Sequence, residues 1–202
     1  MSECIYICLV KASETSVKDQ IIETASRLFF TQGYNLTGIN QIIEEAGVAK
    51  ASLYYHFPSK EDLCVEYLKK RYKIFWCGKL LEFLEGVEDG VERLTKVFEC
   101  RMKYMEETNY GGCAYSRIIS ELPQRVSKIN EQVKLQKNKQ RVFFGEEVRR
   151  LKGISPSRLD EIADTIFLLF DGATSQAQLY QEVWPIENAI KAVKQLIKQE
   201  HT

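Results

Sequence analysis

Turn-forming residues are scarce in this chain. It has only 11 glycines and 4 prolines in 202 residues, a share of about 7 % where an average protein carries roughly 12 %. Few turn residues allow few tight turns, which favours long helices and argues against many short strands. The 45 % hydrophobic and 28 % charged residues are typical of a globular protein, which excludes a disordered chain.

Histidine, paired cysteines and an excess of either charge are also lacking. Two histidines and six cysteines without a C-x-x-C pair do not make the spacing of a zinc site, so we predict no metal and no cofactor. Lysine plus arginine and aspartate plus glutamate each number 28, so bulk charge predicts no nucleic-acid partner, and any DNA binding must come from a local patch. The apolar run at residues 4–10 is a poor signal peptide and too short to span a membrane. We therefore expect a cytoplasmic protein.

Apolar residues at helical spacing, interrupted by capping residues, recur along the chain. Ser16 and Ser59 each precede an aspartate by three residues, which is the spacing of a capping box at a helix start. Thr37 is placed to cap the helix that follows it. The whole chain reads as about nine helices with no convincing strand, so the predicted fold class is all-α.

The strongest local pattern is a short helix, a tight turn and a second short helix. The two helical segments, residues 39–46 and 50–57, are separated by Gly47-Val48-Ala49, in which the glycine permits the positive φ of a tight turn. Leu53 and Phe57 mark the buried face of the second segment. This is the pattern of a helix-turn-helix, whose second helix enters the DNA major groove.

The stretch GVAKASLYYHFPSKEDL resembles the TetR family of bacterial transcriptional regulators, and the preceding TGINQIIEEA fits the same pattern. The resemblance is specific over residues 17–68. It implies an N-terminal arm and helix-turn-helix DNA-binding domain over residues 1–62, and a helical ligand-binding and dimerisation domain over residues 63–202. The chain departs from the family at Gly38, where threonine or serine is common, and at Ala51, where glycine is frequent.

The resemblance also implies which residues face the DNA: Thr37, Lys50, Ala51, Ser52, Tyr54, Tyr55, His56 and Lys60. The first three residues of the second helix lie where the family reads bases. Lys60 matches a phosphate-binding lysine of the family. Two alternatives stay open, because Thr37 can be only a helix cap and His56 only a packing residue.

Two weaker patterns concern the C-terminal part. The apolar run at residues 166–170, followed by small residues, predicts pairing with a second copy, unless that helix is buried within one chain. The predicted interface residues are Ile166, Phe170, Ala173, Ala177, Ile190 and Val193. The resemblance implies an inducer pocket between central helices, although aromatic stripes are usually core. The candidate pocket residues are Trp76, Phe98, Tyr104, Cys113, Tyr115 and Phe170.

These patterns together predict a function. The chain lacks the nucleophile-elbow, P-loop, dinucleotide and zinc-protease motifs, so we predict that it is not an enzyme. We expect a homodimeric regulator that binds a palindromic operator in double-stranded DNA and acts as a repressor released by a small apolar or aromatic inducer, with no membrane partner. The alternatives are a regulator of the same fold triggered by modification of Cys113, and a helical interaction module without DNA binding.

Overall fold

The computed structural model of the protein describes residues 16–122 and 127–200, and within them every regular element is a helix. The helices are α1 Val17–Thr31, α2 Ile39–Ala46, α3 Lys50–His56, α4 Lys60–Tyr72, a π-helix Lys73–Lys79, α5 Leu80–Phe83, α6 Gly90–Glu107, α7 Ala114–Glu121, α8 Ser127–Val148, α9 Leu159–Tyr180 and α10 Trp184–Gln199. The run α4–π–α5 is continuous from Lys60 to Phe83 and begins at the predicted cap Ser59. The all-α prediction is confirmed, whereas the arm over residues 1–15 lies outside the described residues.

The serine caps of the two predicted capping boxes are present. The Ser16 Oγ accepts a hydrogen bond from the Asp19 N–H (3.1 Å) at the start of α1. The Ser59 Oγ accepts one from the Asp62 N–H (3.2 Å) at the start of α4. Each bond satisfies a helix N–H that has no partner inside the helix.

The described helices form two compact units. The first comprises the described parts of Met1–Cys77 and Ala114–Lys134, and the second those of Gly78–Cys113 and Leu135–Thr202. The three divisions fall inside the π-helix, directly before α7 and inside α8. They do not coincide with the division after residue 62 that the resemblance implies, which concerns function and stays a prediction.

The core of the first unit is built around α1. Leu28 and Phe29 are buried on its inner face, and the Phe29 ring contacts the rings of Tyr34 (5.4 Å between centroids) and Tyr67 (5.6 Å). Helices α2, α3 and α4 all pack against α1. This helix is therefore the support on which the helix-turn-helix segment rests.

The core of the second unit contains three aromatic rings from three helices. The Phe170 ring of α9 lies 5.3 Å from the Phe98 ring of α6 and 5.3 Å from the Phe144 ring of α8. Beside them, the Arg93 guanidinium donates to both carboxylate oxygens of Glu147 (2.8 and 3.1 Å). Because both side chains of this ion pair are largely buried, the bidentate geometry is needed to offset their desolvation.

Helix α9 departs from the predicted arrangement. The predicted interface residues Ile166, Phe170, Ala173, Ala177 and Val193 are buried within the single chain, and Ile190 is half-buried. Their side chains pack inward because α9 lies against α6 and α10 of its own unit. Leu168 within the apolar run is 67 % exposed, so packing within one chain does not bury the whole run.

Over residues 16–122 and 127–200, no helix is long and apolar enough to cross a membrane. Within these ranges, no group of three or more His, Cys, Asp or Glu side chains is arranged to hold a metal ion.

Candidate nucleic-acid interface

The turn between α2 and α3 has the predicted geometry. Gly47 ends α2 in the left-handed conformation, with φ of 64°. Its N–H donates to the carbonyl oxygen of Glu44 (3.1 Å), and the Val48 N–H donates to that of Ile43 (3.2 Å). These bonds close the end of the helix as in a Schellman motif, in which glycine avoids the cost of a Cβ at positive φ.

Helix α3 is held in place by its apolar side. Leu53 and Phe57 are buried, and so is Ile42 on the facing side of α2. A helix of seven residues is not stable alone, so this burial sets how α3 is rotated about its axis.

The opposite side of α3 faces solvent. Lys50, Ala51, Tyr54 and Tyr55 are exposed there, Tyr55 to 84 %. Two exposed tyrosines on one short helix are unusual without a partner, because each leaves a large apolar ring in water. We call this set the exposed face of α3.

Two predicted residues lie at the edges of that face. Ser52 and His56 are half-buried, and the His56 ring packs edge-on against the Tyr55 ring at 5.0 Å. His56 therefore combines a packing role with partial access to solvent, between the two alternatives that the sequence left open.

Thr37 does not occupy the predicted position. The residue that caps α2 is Gly38, which makes no side-chain bond. The Thr37 side chain is fully buried and donates to the Gly33 carbonyl oxygen (2.6 Å). The helix-cap prediction was therefore wrong, and a phosphate contact through this hydroxyl is not available, because Thr37 turns inward to close the loop after α1.

Lys60 begins α4 and is half-buried. Its ammonium nitrogen lies 4.2 Å from the centroid of the Tyr34 ring, a cation–π contact. Burial lowers the pKa of Lys60 from its usual value, and burial raises the pKa of Tyr34 to about 12. Sequence reasoning missed Tyr34, although an aromatic residue directly after the helix-ending Gly33 was available as an indication.

Helices α1 to α4 match a known protein family. The family model for bacterial regulatory proteins of the tetR family matches residues 21–67. The HTH-type transcriptional regulator LmrA of Bacillus subtilis (strain 168) is 28 % identical over 185 residues, which are 90 % of this chain and 96 % of LmrA. Residues 21–67 match the TetR family, and the chain resembles its regulators.

A second relative and a solved structure extend the likeness. The biofilm operon icaADBC HTH-type negative transcriptional regulator IcaR of Staphylococcus aureus (strain Newman) is 33 % identical over 129 residues, 55 % of this chain and 66 % of IcaR. The crystal structure of SCO4454, a TetR-family transcriptional regulator from Streptomyces coelicolor, matches with a TM-score of 0.81 at 19 % identity, covering 92 % of this chain and 96 % of that one. The fold is thus confirmed. As a transcriptional regulator of the TetR family, the chain binds DNA and is not an enzyme.

The residues predicted for an inducer pocket do not gather around one described cavity. All six are buried, but Trp76 and Tyr115 belong to the first unit and the other four to the second. Phe98 and Phe170 pack against Phe144 as core. Tyr104 lines a cavity of about 230 Å³ in the second unit, smaller than the roughly 300 Å³ at which small-molecule pockets usually begin. The location of the inducer pocket stays a prediction.

The left-handed turn makes a prediction about stability. Gly47→Ala should lower the free energy of unfolding by about 1 kcal/mol, because an added Cβ disfavours positive φ. A Cβ at this position meets no atom within 4 Å, so the loss reflects backbone strain alone. Urea denaturation measures it.

The matched control is Gly38→Ser at the cap of α2, where a Cβ also meets nothing within 4 Å and φ is −84°. That change should raise stability by a few tenths of a kcal/mol through a new cap bond. Equal losses at the two positions would contradict the role given to the turn.

Proposed function

We propose that this TetR-family regulator is a homodimeric repressor that leaves its operator when a small molecule binds to the C-terminal helices. Residues 1–62 are then the DNA-binding part, and residues 63–202 bind the inducer and the second copy. The observation that carries the proposal is the exposed face of α3, set on the core by Leu53 and Phe57. Such a regulator works where the DNA is, so a cytoplasmic location remains our expectation.

The exposed face of α3 has the chemistry needed in a major groove. Lys50 can donate to guanine O6 and N7, and Ala51 is small enough to contact a thymine methyl group. The hydroxyls of Tyr54 and Tyr55 can donate to phosphates, which fix the register of the helix. Ser52 and His56 adjoin these contacts at the edges of the face.

Lys60 supplies a contact to the DNA backbone in this proposal. Its ammonium is held over the Tyr34 ring by the cation–π contact, while its remaining N–H groups are free to donate to a phosphate oxygen. The chain as a whole has no net charge, so binding to unrelated DNA should be modest. Tight binding then requires two half-sites and hence two copies of α3.

The test of DNA recognition begins with selection of duplexes from a randomised library by the full-length protein. We expect a palindrome whose half-sites lie about one helical turn apart, ~34–36 Å. Lys60→Ala should weaken binding to all duplexes and reduce the slope of log K against log salt by about one. Lys50→Ala should relax base preference within each half-site.

The control for charge is Lys194→Ala on α10, an exposed lysine that removes the same charge away from α3. It should leave both the affinity and the salt slope unchanged. Failure of the wild-type protein to enrich any duplex would refute the proposal in favour of an interaction module.

The proposed dimer uses the outer side of α9. Leu168, Gly172, Ser175 and Leu179 are exposed there, and their spacing of four, three and four residues makes one stripe along a helix. Leu168 and Leu179 are 67 % and 71 % exposed. The small residues between them allow the backbone of a second helix to approach closely. Together they form a self-complementary surface suited to a two-fold axis.

Leu179→Glu should convert the dimer to a monomer, because it places two carboxylates against each other across the axis. Sedimentation at micromolar concentration measures the result, and the monomer should lose tight binding to the palindrome. Leu36→Glu, at a leucine that is 78 % exposed in the first unit, should remain dimeric. A wild-type chain that sediments as a monomer would contradict this surface.

Repression and induction rest on different support. IcaR, which is described as a negative regulator, supports repression as the outcome of operator binding. Induction is a linkage argument, since a molecule that binds better to the conformation with poorly placed α3 helices must weaken DNA binding. The predicted inducer is small and apolar or aromatic, matching the aromatic side chains of the central helices.

A second trigger, modification of Cys113, is favoured by one specific contact. Lys137 Nζ donates to the Cys113 sulphur (3.4 Å) and pairs with the Asp171 carboxylate. This contact places a positive charge beside the sulphur, the atom that attacks electrophiles. Burial raises the pKa of Cys64 to about 12 and that of Cys100 to about 11, which disfavours their reactive thiolate forms.

Alkylation with iodoacetamide tests this trigger. The sulphur of Cys113 forms a bond to the reagent's carbon, iodide leaves and the thiol proton passes to solvent. Mass spectrometry should find Cys113 alkylated faster than Cys64 and Cys100, and operator affinity should fall as it reacts. Lys137→Met should slow the reaction of Cys113, whereas Lys139→Met should not. Equal rates at the three cysteines, or unchanged operator affinity after alkylation, would rule the trigger out.

A further inference from the structure

The end of helix α7 is bonded to the loop that leads into the helix-turn-helix. The Asn35 N–H donates to the Glu121 carboxylate (2.8 Å), and the Asn35 side-chain amide donates to the Glu121 carbonyl oxygen (2.7 Å). A Cβ on Gly33 would lie 2.8 Å from the Glu121 carboxylate. Gly33 also has a φ of 93°, so the loop meets α7 in a backbone conformation that favours glycine at position 33.

A second residue of α7 holds the end of α1. The Arg117 guanidinium donates to the carbonyl oxygen of Phe30 (2.7 Å) and lies 5.7 Å from the Phe30 ring. Phe30 belongs to the last turn of α1, where carbonyl groups have no partner within the helix. Arg117 thus caps α1 from a residue 87 positions away in sequence.

These contacts continue to the first turn of α2. Gly33, packed under Glu121, accepts the hydrogen bond of the buried Thr37 hydroxyl (2.6 Å), and Thr37 directly precedes the cap residue Gly38. The loop between α1 and α2 is consequently bonded to α7 and closed on itself directly before the cap of α2. The position of α2 in turn sets that of α3 through the turn at Gly47.

We propose that Glu121 and Arg117 are positioning residues for DNA binding, which hold the loop between α1 and α2 so that α3 is presented to the major groove. The inference deepens the proposed function and rests on it. In this proposal neither residue contacts DNA. Glu121 acts on the position of α3 through Asn35 and Gly33, and Arg117 acts on it through the end of α1.

A charge effect and a positioning effect of Glu121 have opposite signs. A carboxylate near a DNA-binding surface repels phosphate, so its removal should tighten binding if charge alone matters. Loss of the bond to the Asn35 N–H frees the loop, so removal should weaken binding if positioning matters. The direction of the change decides between them.

The experiment uses the full-length protein and the duplex that the wild type selects. We expect Glu121→Ala to weaken binding about tenfold, within the usual range of coupling between two sites. Glu121→Gln should keep most of the affinity, because its amide oxygen can still accept from the Asn35 N–H. Glu131→Ala, at an exposed glutamate of α8, removes the same charge and should change binding less than twofold, about the scatter expected at an independent site.

Two measurements separate positioning from a general loss of fold. Hydrogen exchange of the peptide that spans residues 33–38 should accelerate in Glu121→Ala and not in Glu131→Ala, because the Asn35 amide loses its acceptor. Asn35→Ala keeps the net charge and should weaken binding in the same direction, even where Glu121→Ala folds poorly.

The outcomes are distinguishable. Wild-type protein that selects a duplex, together with Glu121→Ala and Asn35→Ala proteins that bind it equally well or more tightly, overturns the positioning role and leaves the proposed function standing. Wild-type protein that selects no duplex overturns the proposed function, and the positioning role falls with it.

Discussion

Two helices that cannot exist alone carry the recognition surface of this regulator. With eight and seven residues, α2 and α3 lie well below the length at which isolated helices are stable. Burial of three apolar side chains therefore has two effects: it keeps the helices folded, and it fixes which side of α3 faces outward. These side chains are Ile42, Leu53 and Phe57. Any change that loosens this apolar contact alters both helix content and the direction of the exposed face of α3.

The helix-turn-helix was predictable because its determinants are local. Gly47, Ser16 and Ser59 act on groups within a few residues of themselves, and the spacing of Leu53 and Phe57 already marks the inner side of α3. Thr37 was misread for the complementary reason. Whether its hydroxyl caps α2 or turns inward to Gly33 depends on how the whole loop packs, and a capping pattern contains no information on that.

Contacts between residues that are far apart in sequence were not predictable from the spacing of residue types. Within the apolar run at residues 166–170, Leu168 is of the same kind as its neighbours, and only the positions of α6 and α10 decide that it faces outward. Glu121 and Asn35 are separated by 86 residues, and neither occurs in a motif that indicates the other. The predicted interface residues on α9 and α10 pack within the single chain for this reason.

The π-helix Lys73–Lys79 has a consequence for how this chain compares with others of its length. A π turn closes its hydrogen bonds one residue later than an α turn, so it accommodates an extra residue while the helices on either side keep their facing. The gene can therefore lose one codon in this segment, which then closes as an α-helix, without turning α4 away from α1 or α5 away from α6. Of the run from Lys60 to Phe83, this is the stretch where homologous chains can differ in length by single residues, and where an alignment gap does not imply a different fold.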